Sequence, residues 1–136
     1  DGSKCKPCES MDTTYIIPPD EINRRLETMP LWVLSENGQL TRKFVAKDFA
    51  SALNFIVAAG AIAEESKHHP DFHLTSYRNV EVVLYTHSLN GITENDFQIA
   101  TLLDSVQVAY SPKWLKSNPN DVVTKENAIE SEKSKT

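Results

Sequence analysis

Pro70 divides the middle of this chain into two hydrophobic rhythms that cannot belong to one element. Upstream, Phe49, Ala52, Leu53, Phe55, Ile56, Ala59 and Ala63 recur at helical spacing, with Asp48 placed to cap them and the apolar face running to about Glu65. The small residues from Ala58 to Ala61 permit close packing against a sheet or a second helix. Proline stops that helix and pushes His69 towards extended geometry. Downstream, Val80, Val82, Leu84 and Thr86 alternate with Glu81, Val83, Tyr85 and His87, which is the two-residue period of a strand.

The flanking segments repeat the same vocabulary. Pro18 and Pro19 precede Asp20 and Glu21, a helix start, with Ile22, Leu26 and Met29 on one face and Pro30 as the stop. Leu31 to Leu34 and Leu40 to Val45 are short apolar runs split by Asn37-Gly38, which predicts a hairpin. Phe72 to Ser76 reads as a short strand before a turn at Arg78-Asn79. Thr93 with Asp96 three positions on forms a capping box with Asp in place of the preferred Glu, and Ile92 and Phe97 have staple spacing around it. Ile99, Leu102, Leu103 and Val106 supply the buried side of that last helix. The order helix, two strands, helix, two strands, helix predicts an α+β fold, a four-stranded antiparallel sheet with three helices packed on one face. The expected divisions are a polar leader over 1–17, one domain over 18–110 and a polar extension over 111–136, with Trp114 and Leu115 docking locally and 120–136 as a solvated tail.

A chain of 136 residues with 40% hydrophobic and 24% charged residues suffices for one core. No stretch approaches a membrane span of roughly 18 apolar residues. The net charge is −5 and the basic residues are scattered, so no stripe suited to direct nucleic-acid binding is present, and neither membrane nor nucleic acid is an expected partner. Cys5 and Cys8 form a single CxxC in the leader, too little for a four-ligand metal site, and are read as incidental or locally structural. The expected compartment is the cytoplasm, or an organelle after removal of a targeting peptide.

All 4 histidines fall between Glu64 and Asp96: His68, His69, His73 and His87. Three readings of them are open. They are partly exposed structural residues; or they bind metal, against which adjacent histidines diverge and no cysteine lies near; or they do acid–base work, for which a helix C-terminus favours the imidazolium.

The spacing of Glu64, His68-His69-Pro70, Tyr77, His87 and Asp96 resembles the signature of the pterin-4a-carbinolamine dehydratases. The resemblance runs from Pro19 to Val108 and includes Trp32 and Lys47-Asp48-Phe49. The animal enzymes differ in having one residue fewer between the HHP and the strand, a Trp where this chain has Phe72 and an acidic residue where Lys67 stands. The resemblance implies elimination of water from a 4a-hydroxytetrahydropterin to give quinonoid dihydropterin, a step of tetrahydrobiopterin recycling, with neither metal nor other cofactor. It implies that His68, His69 and His87 are catalytic, His68 and His87 as the proton-transfer pair and His69 orienting the 4a-hydroxyl. It implies that the backbone of Lys67 to His69 and of Tyr85, Thr86, His87 and Ser88 holds the pterin edge, with Pro70, Phe72 and Glu64 beside it. Asp96 is expected to act structurally, as the helix cap, and His73 to lie outside the site. A homodimer or homotetramer is the implied assembly. A non-catalytic role as a protein-binding or dimerisation cofactor, which animal members also perform, is the alternative.

Overall fold

The computed structural model describes residues 13–118; Cys5, Cys8 and the expected tail over 120–136 lie outside the described residues. A short 3-10 turn at Thr13–Tyr15 leads into α1 (Pro19–Leu26), β1 (Val33–Leu34), β2 (Leu40–Val45), α2 (Phe49–Ser66), β3 (Asp71–Thr75), β4 (Asn79–Leu84), α3 (Glu94–Asp104) and α4 (Pro112–Ser117). The strands form one antiparallel sheet in the order β1-β2-β4-β3. The expected α+β architecture is present with one addition: four α-helices among the described residues instead of three. The extra helix, α4, begins with Pro112 after Ser111, whose hydroxyl accepts from the Trp114 amide. It is held by stacking of Trp114 on Tyr110 at 5.5 Å, and Tyr110 in turn bridges to Ala46.

Local chemistry accounts for most boundaries. The Asn37-Gly38 turn closes the first hairpin with Gly38 at φ +79, a conformation that favours glycine. Asp48 caps α2 by accepting from the Ser51 amide at 2.8 Å. Lys67 ends α2 in the left-handed region (φ 59, ψ 31), and the His68 amide donates back to the Ala63 carbonyl at 3.3 Å. This closure, usually built on glycine, turns the chain sharply at the helix end. Pro70 then leads into β3, whose Phe72 pairs with Val82 of β4 and whose His73 pairs with Glu81.

The core lies between the sheet face carrying Leu40, Phe44, Val80, Val82 and Leu84 and the inward faces of the helices, including Ala52, Phe55, Ala59, Ile99, Ala100 and Leu103. Ile17 also belongs to it. A cation, Arg42, is sealed inside. Arg42 is 2% exposed, donates to the Tyr110 hydroxyl at 2.8 Å and to Asp104 at 3.2 Å, and lies over the rings of Phe44 and Phe55. Trp32 Nε1 donates to the same Asp104 oxygen at 2.8 Å. This carboxylate ties β2, Trp32 and the end of α3 together.

Removing one partner of such a pair strands the other. Asp104→Ala should therefore cost about 3 kcal/mol of stability, the lower end of the range for a broken buried pair because Asp104 is partly exposed. Burial pushes the Asp104 carboxyl above its ordinary value, against the opposing pulls of Arg42 and Trp32. An acid whose folded pKa is raised binds its proton more tightly when folded, so its contribution to stability grows as pH falls from above the folded value to below the ordinary one. Thermal unfolding of wild type and Asp104→Asn at neutral pH and near pH 4 should show wild type gaining stability relative to the variant on acidification, and a relative loss would contradict the assignment.

Candidate functional site

The turn at Lys67 and the chain just beyond β4 are joined through one carboxylate, that of Asp96, which bonds to His68 and to Thr86. His68, the first residue after the left-handed turn, is buried at 6% exposure, and its Nε2 lies 2.6 Å from Asp96 Oδ1. Asp96 is fully buried. Its other oxygen accepts from the Thr93 amide at 2.9 Å and from the Thr86 hydroxyl at 2.8 Å, and the Thr86 and Thr93 hydroxyls are 2.9 Å apart. The expected capping box of α3 is therefore present. The same carboxylate also bonds to His68 and reaches Thr86, the residue before His87.

This second role of Asp96 was not visible from spacing, because the cap is a local contact and the bond to His68 spans 28 positions. The one hint was the shorter Asp where a capping box prefers Glu. A carboxylate that bonds to one imidazole nitrogen fixes the ring's orientation and its tautomer, with the proton on the nitrogen facing the carboxylate.

His69 points away from that network. Its Nε2 lies 2.7 Å from Glu64 Oε1, and both side chains are well exposed. Hydrogen bonding to His69, then its charge, holds the Glu64 carboxyl below its ordinary value. His87 is exposed in a four-residue loop closed by the Thr86–Gly91 bridge. Its ring meets the edge of Tyr85 at 5.2 Å, and among the described residues it makes no side-chain hydrogen bond. Among the described residues no hydrogen bond joins one histidine to another.

The remaining expected residues divide. Lys67 is exposed on the helix-ending turn, Ser88 is exposed in the His87 loop, and Pro70 is half-buried between His69 and β3. Phe72 is half-buried and packs against the core. Tyr77 sits at the opposite end of the β3–β4 hairpin, exposed at the tip with φ 59 and with the Arg78 guanidinium over its ring. His73 lies exposed on β3, opposite Glu81. Among the described residues no group of three or more His, Cys, Asp and Glu side chains converges as a metal site requires. Among them, too, no helix is long and apolar enough to cross a membrane.

Comparison with known proteins falls on the same segment. The family described as pterin 4 alpha carbinolamine dehydratase matches residues 16–106. A mitochondrial pterin-4-alpha-carbinolamine dehydratase 2 of Arabidopsis thaliana is 33% identical over 108 residues, covering 77% of this chain and 57% of that protein. The match therefore spans little more than half the length of the plant relative. A Chlorobaculum tepidum protein provisionally named for the same activity is 38% identical over 104 residues, 74% of this chain and 91% of its own. The crystal structure of a transcriptional coactivator/pterin dehydratase from Brucella melitensis superposes with a TM-score of 0.62 at 34% identity, over 66% of this chain and 96% of that one.

Proposed function

Since the chain belongs to the pterin 4 alpha carbinolamine dehydratase family, we propose that it eliminates water from a 4a-hydroxytetrahydropterin, using His68 and His87 as the acid–base pair. The reaction breaks the C4a–O bond, and the electron pair released when a proton leaves the ring N–H forms the new C=N bond of the quinonoid dihydropterin. The departing hydroxyl takes up a proton and leaves as water. One group must give a proton and another must accept one, and no redox partner enters the balance. Imidazoles serve both tasks near neutral pH.

The observation that carries this reading is the buried His68–Asp96 pair at 2.6 Å. A histidine whose Nε2–H is committed to a carboxylate exchanges its other proton at Nδ1, and entering the step as imidazolium it gives that proton up while Nε2–H stays on the carboxylate. His68 also follows a helix C-terminus, where free carbonyls favour a cation, so it is suited to donate to the departing hydroxyl. His87, on the adjoining loop, is the base. His69, free of the core and paired with Glu64, orients the 4a-hydroxyl. Backbone from Lys67 to His69 and from Tyr85 to Ser88 holds the pterin edge, with Phe72 and Pro70 beside it. Asp96 acts as a positioning residue through His68.

A second reading has its own support. Phe49, Leu53 and Val57 recur every four residues on α2 and remain 50%, 40% and 72% exposed. Such a stripe suits a protein contact, either self-association into a dimer or tetramer or a separate partner.

The deciding experiment is a dehydratase assay on freshly generated 4a-hydroxytetrahydropterin, with and without a chelator. Turnover above the spontaneous rate and unaltered by chelation is the expected result. Activity that vanished on chelation and returned with zinc would overturn the acid–base mechanism, and a folded protein with no activity would leave the binding role as the function.

A further inference from the structure

We propose that Ile16 is a positioning residue for His87, acting through Gly91 and the loop between Thr86 and Gly91; this rests on the dehydratase reading of His87. The three histidines of the site are held in different ways. His68 is fixed by Asp96 and His69 is bonded to Glu64, each imidazole on a carboxylate. Among the described residues the His87 ring has only the edge contact with Tyr85, so its place depends on the backbone that carries it.

That backbone is a small closed loop. The Thr86 amide donates to Gly91 at 2.9 Å, the Leu89 amide to Thr86 at 3.2 Å and the Asn90 amide to His87 at 3.3 Å, with Asn90 in the left-handed region at φ 53. One side of the loop is anchored by the Thr86 hydroxyl in the Asp96 network. The other side is covered by the segment before α1. The Ile17 amide donates to the Ile92 carbonyl at 2.8 Å, and Ile17 and Ile92 are both buried. Directly beside them Ile16 seats its side chain on Gly91. A Cβ added at Gly91 would lie 2.9 Å from Ile16 Cγ2, 3.3 Å from Cγ1 and 3.4 Å from Cδ1. Gly91 does not have a positive φ, so closeness to Ile16, not backbone conformation, is what calls for glycine there. Ile16 and the Asp96 network thus grip opposite ends of the loop, and between them only His87, Ser88, Leu89 and Asn90 remain to move.

The test is a mutant cycle with two readouts. In otherwise wild-type protein, Ile16→Ala should lower kcat about tenfold with little change in KM, since small displacements of a reacting group cost rate steeply. Ile16→Val, which keeps both γ-carbons, should restore most of it. In a His87→Ala background, Ile16→Ala should have no further effect on kcat, because the group it positions is gone. Gly91→Ala should resemble Ile16→Ala, and the Ile16→Ala/Gly91→Ala double variant should be less impaired than the two single effects multiplied, because the added methyl gains the space vacated by the isoleucine. The second readout needs no substrate: the His87 ring proton signals should be single and sharp in wild type and broadened or split in Ile16→Ala. Wild-type kcat in Ile16→Ala, or an equal loss in the His87→Ala background, would overturn the proposal while leaving the dehydratase reading intact. Should His87→Ala itself turn over at the wild-type rate, the catalytic reading of His87 fails, and an unchanged ring spectrum in Ile16→Ala would refute the positioning role as well.

Discussion

Replacement of His68 or His87 by alanine should lower turnover by at least about 100-fold each, within the usual range for lost general acid–base catalysis. The two variants should differ in stability. His87 is exposed and makes no side-chain hydrogen bond among the described residues, so its removal should leave the thermal midpoint where it was. His68 is buried against Asp96, and its loss strands a carboxylate oxygen in the core, at a cost of about 2 kcal/mol. Turnover must therefore be measured on protein shown to be folded by circular dichroism. His69→Ala should act more on KM, consistent with an exposed group that orients the hydroxyl. Wild-type turnover in both His68→Ala and His87→Ala would refute the acid–base assignment and leave the protein-binding role ahead.

The second large effect is expected at Asp96. Asp96→Asn preserves shape but has one acceptor oxygen where the carboxylate has two. It cannot accept at once from the Thr93 amide on one side and from His68 Nε2 on the other. Either the cap is lost or the His68 ring adopts the opposite tautomer. A neutral ring whose one proton sits on Nδ1 keeps no N–H on Nε2 once that proton is given up, so it cannot serve as the donor, and turnover should fall about 100-fold or more, as at other histidines oriented by a carboxylate. Stability should fall by about 1–3 kcal/mol, the cost of an unsatisfied buried group. The pH dependence of kcat separates a positioning role from a purely structural one, because the profile should move with the altered imidazole. An Asp96→Asn protein with lower stability but an unchanged rate and pH profile would show that Asp96 is a cap and nothing more.

Features set by neighbours in sequence were legible before the structure, and features set by distant partners were not. The limits of β2 at Leu40 and Val45, the Asp48 cap, the Asn37-Gly38 turn and the Thr93–Asp96 box all depend on contacts within a few residues. The regular pairing of β4 ends at Leu84, short of the expected His87, because the chain closes its own bridge at Thr86 and Gly91. Helix α4 fell in the expected polar extension, because six residues do not hold a helix alone; the Tyr110–Trp114 stack and the bridge from Tyr110 to Ala46 do. Arg42 occupies a core position between Leu40 and Phe44, and its partners Asp104 and Tyr110, 62 and 68 positions away, make that burial tolerable. In the site, the three histidines stood out by their spacing, while the bond between His68 and Asp96 did not, since periodicity carries no information about which side chains meet across a fold.

The distances along the chain at which this molecule closes have a consequence for how it folds. Its hairpins join near neighbours, whereas the His68–Asp96 bond spans 28 positions and the Trp32–Asp104 bond spans 72. Closing long loops loses entropy before any contact offsets it, so such links form after local pairing. Asp96 cannot meet His68 until α3 has settled on the sheet, and α3 is tethered at its far end by Asp104 to Trp32. An intermediate with both hairpins paired and joined along β2 and β4, but with α3 undocked, would have a complete sheet and no oriented His68. Competence for chemistry thus arrives with the last long-range closure, so that a chain caught partway lacks the arrangement needed to act on substrate.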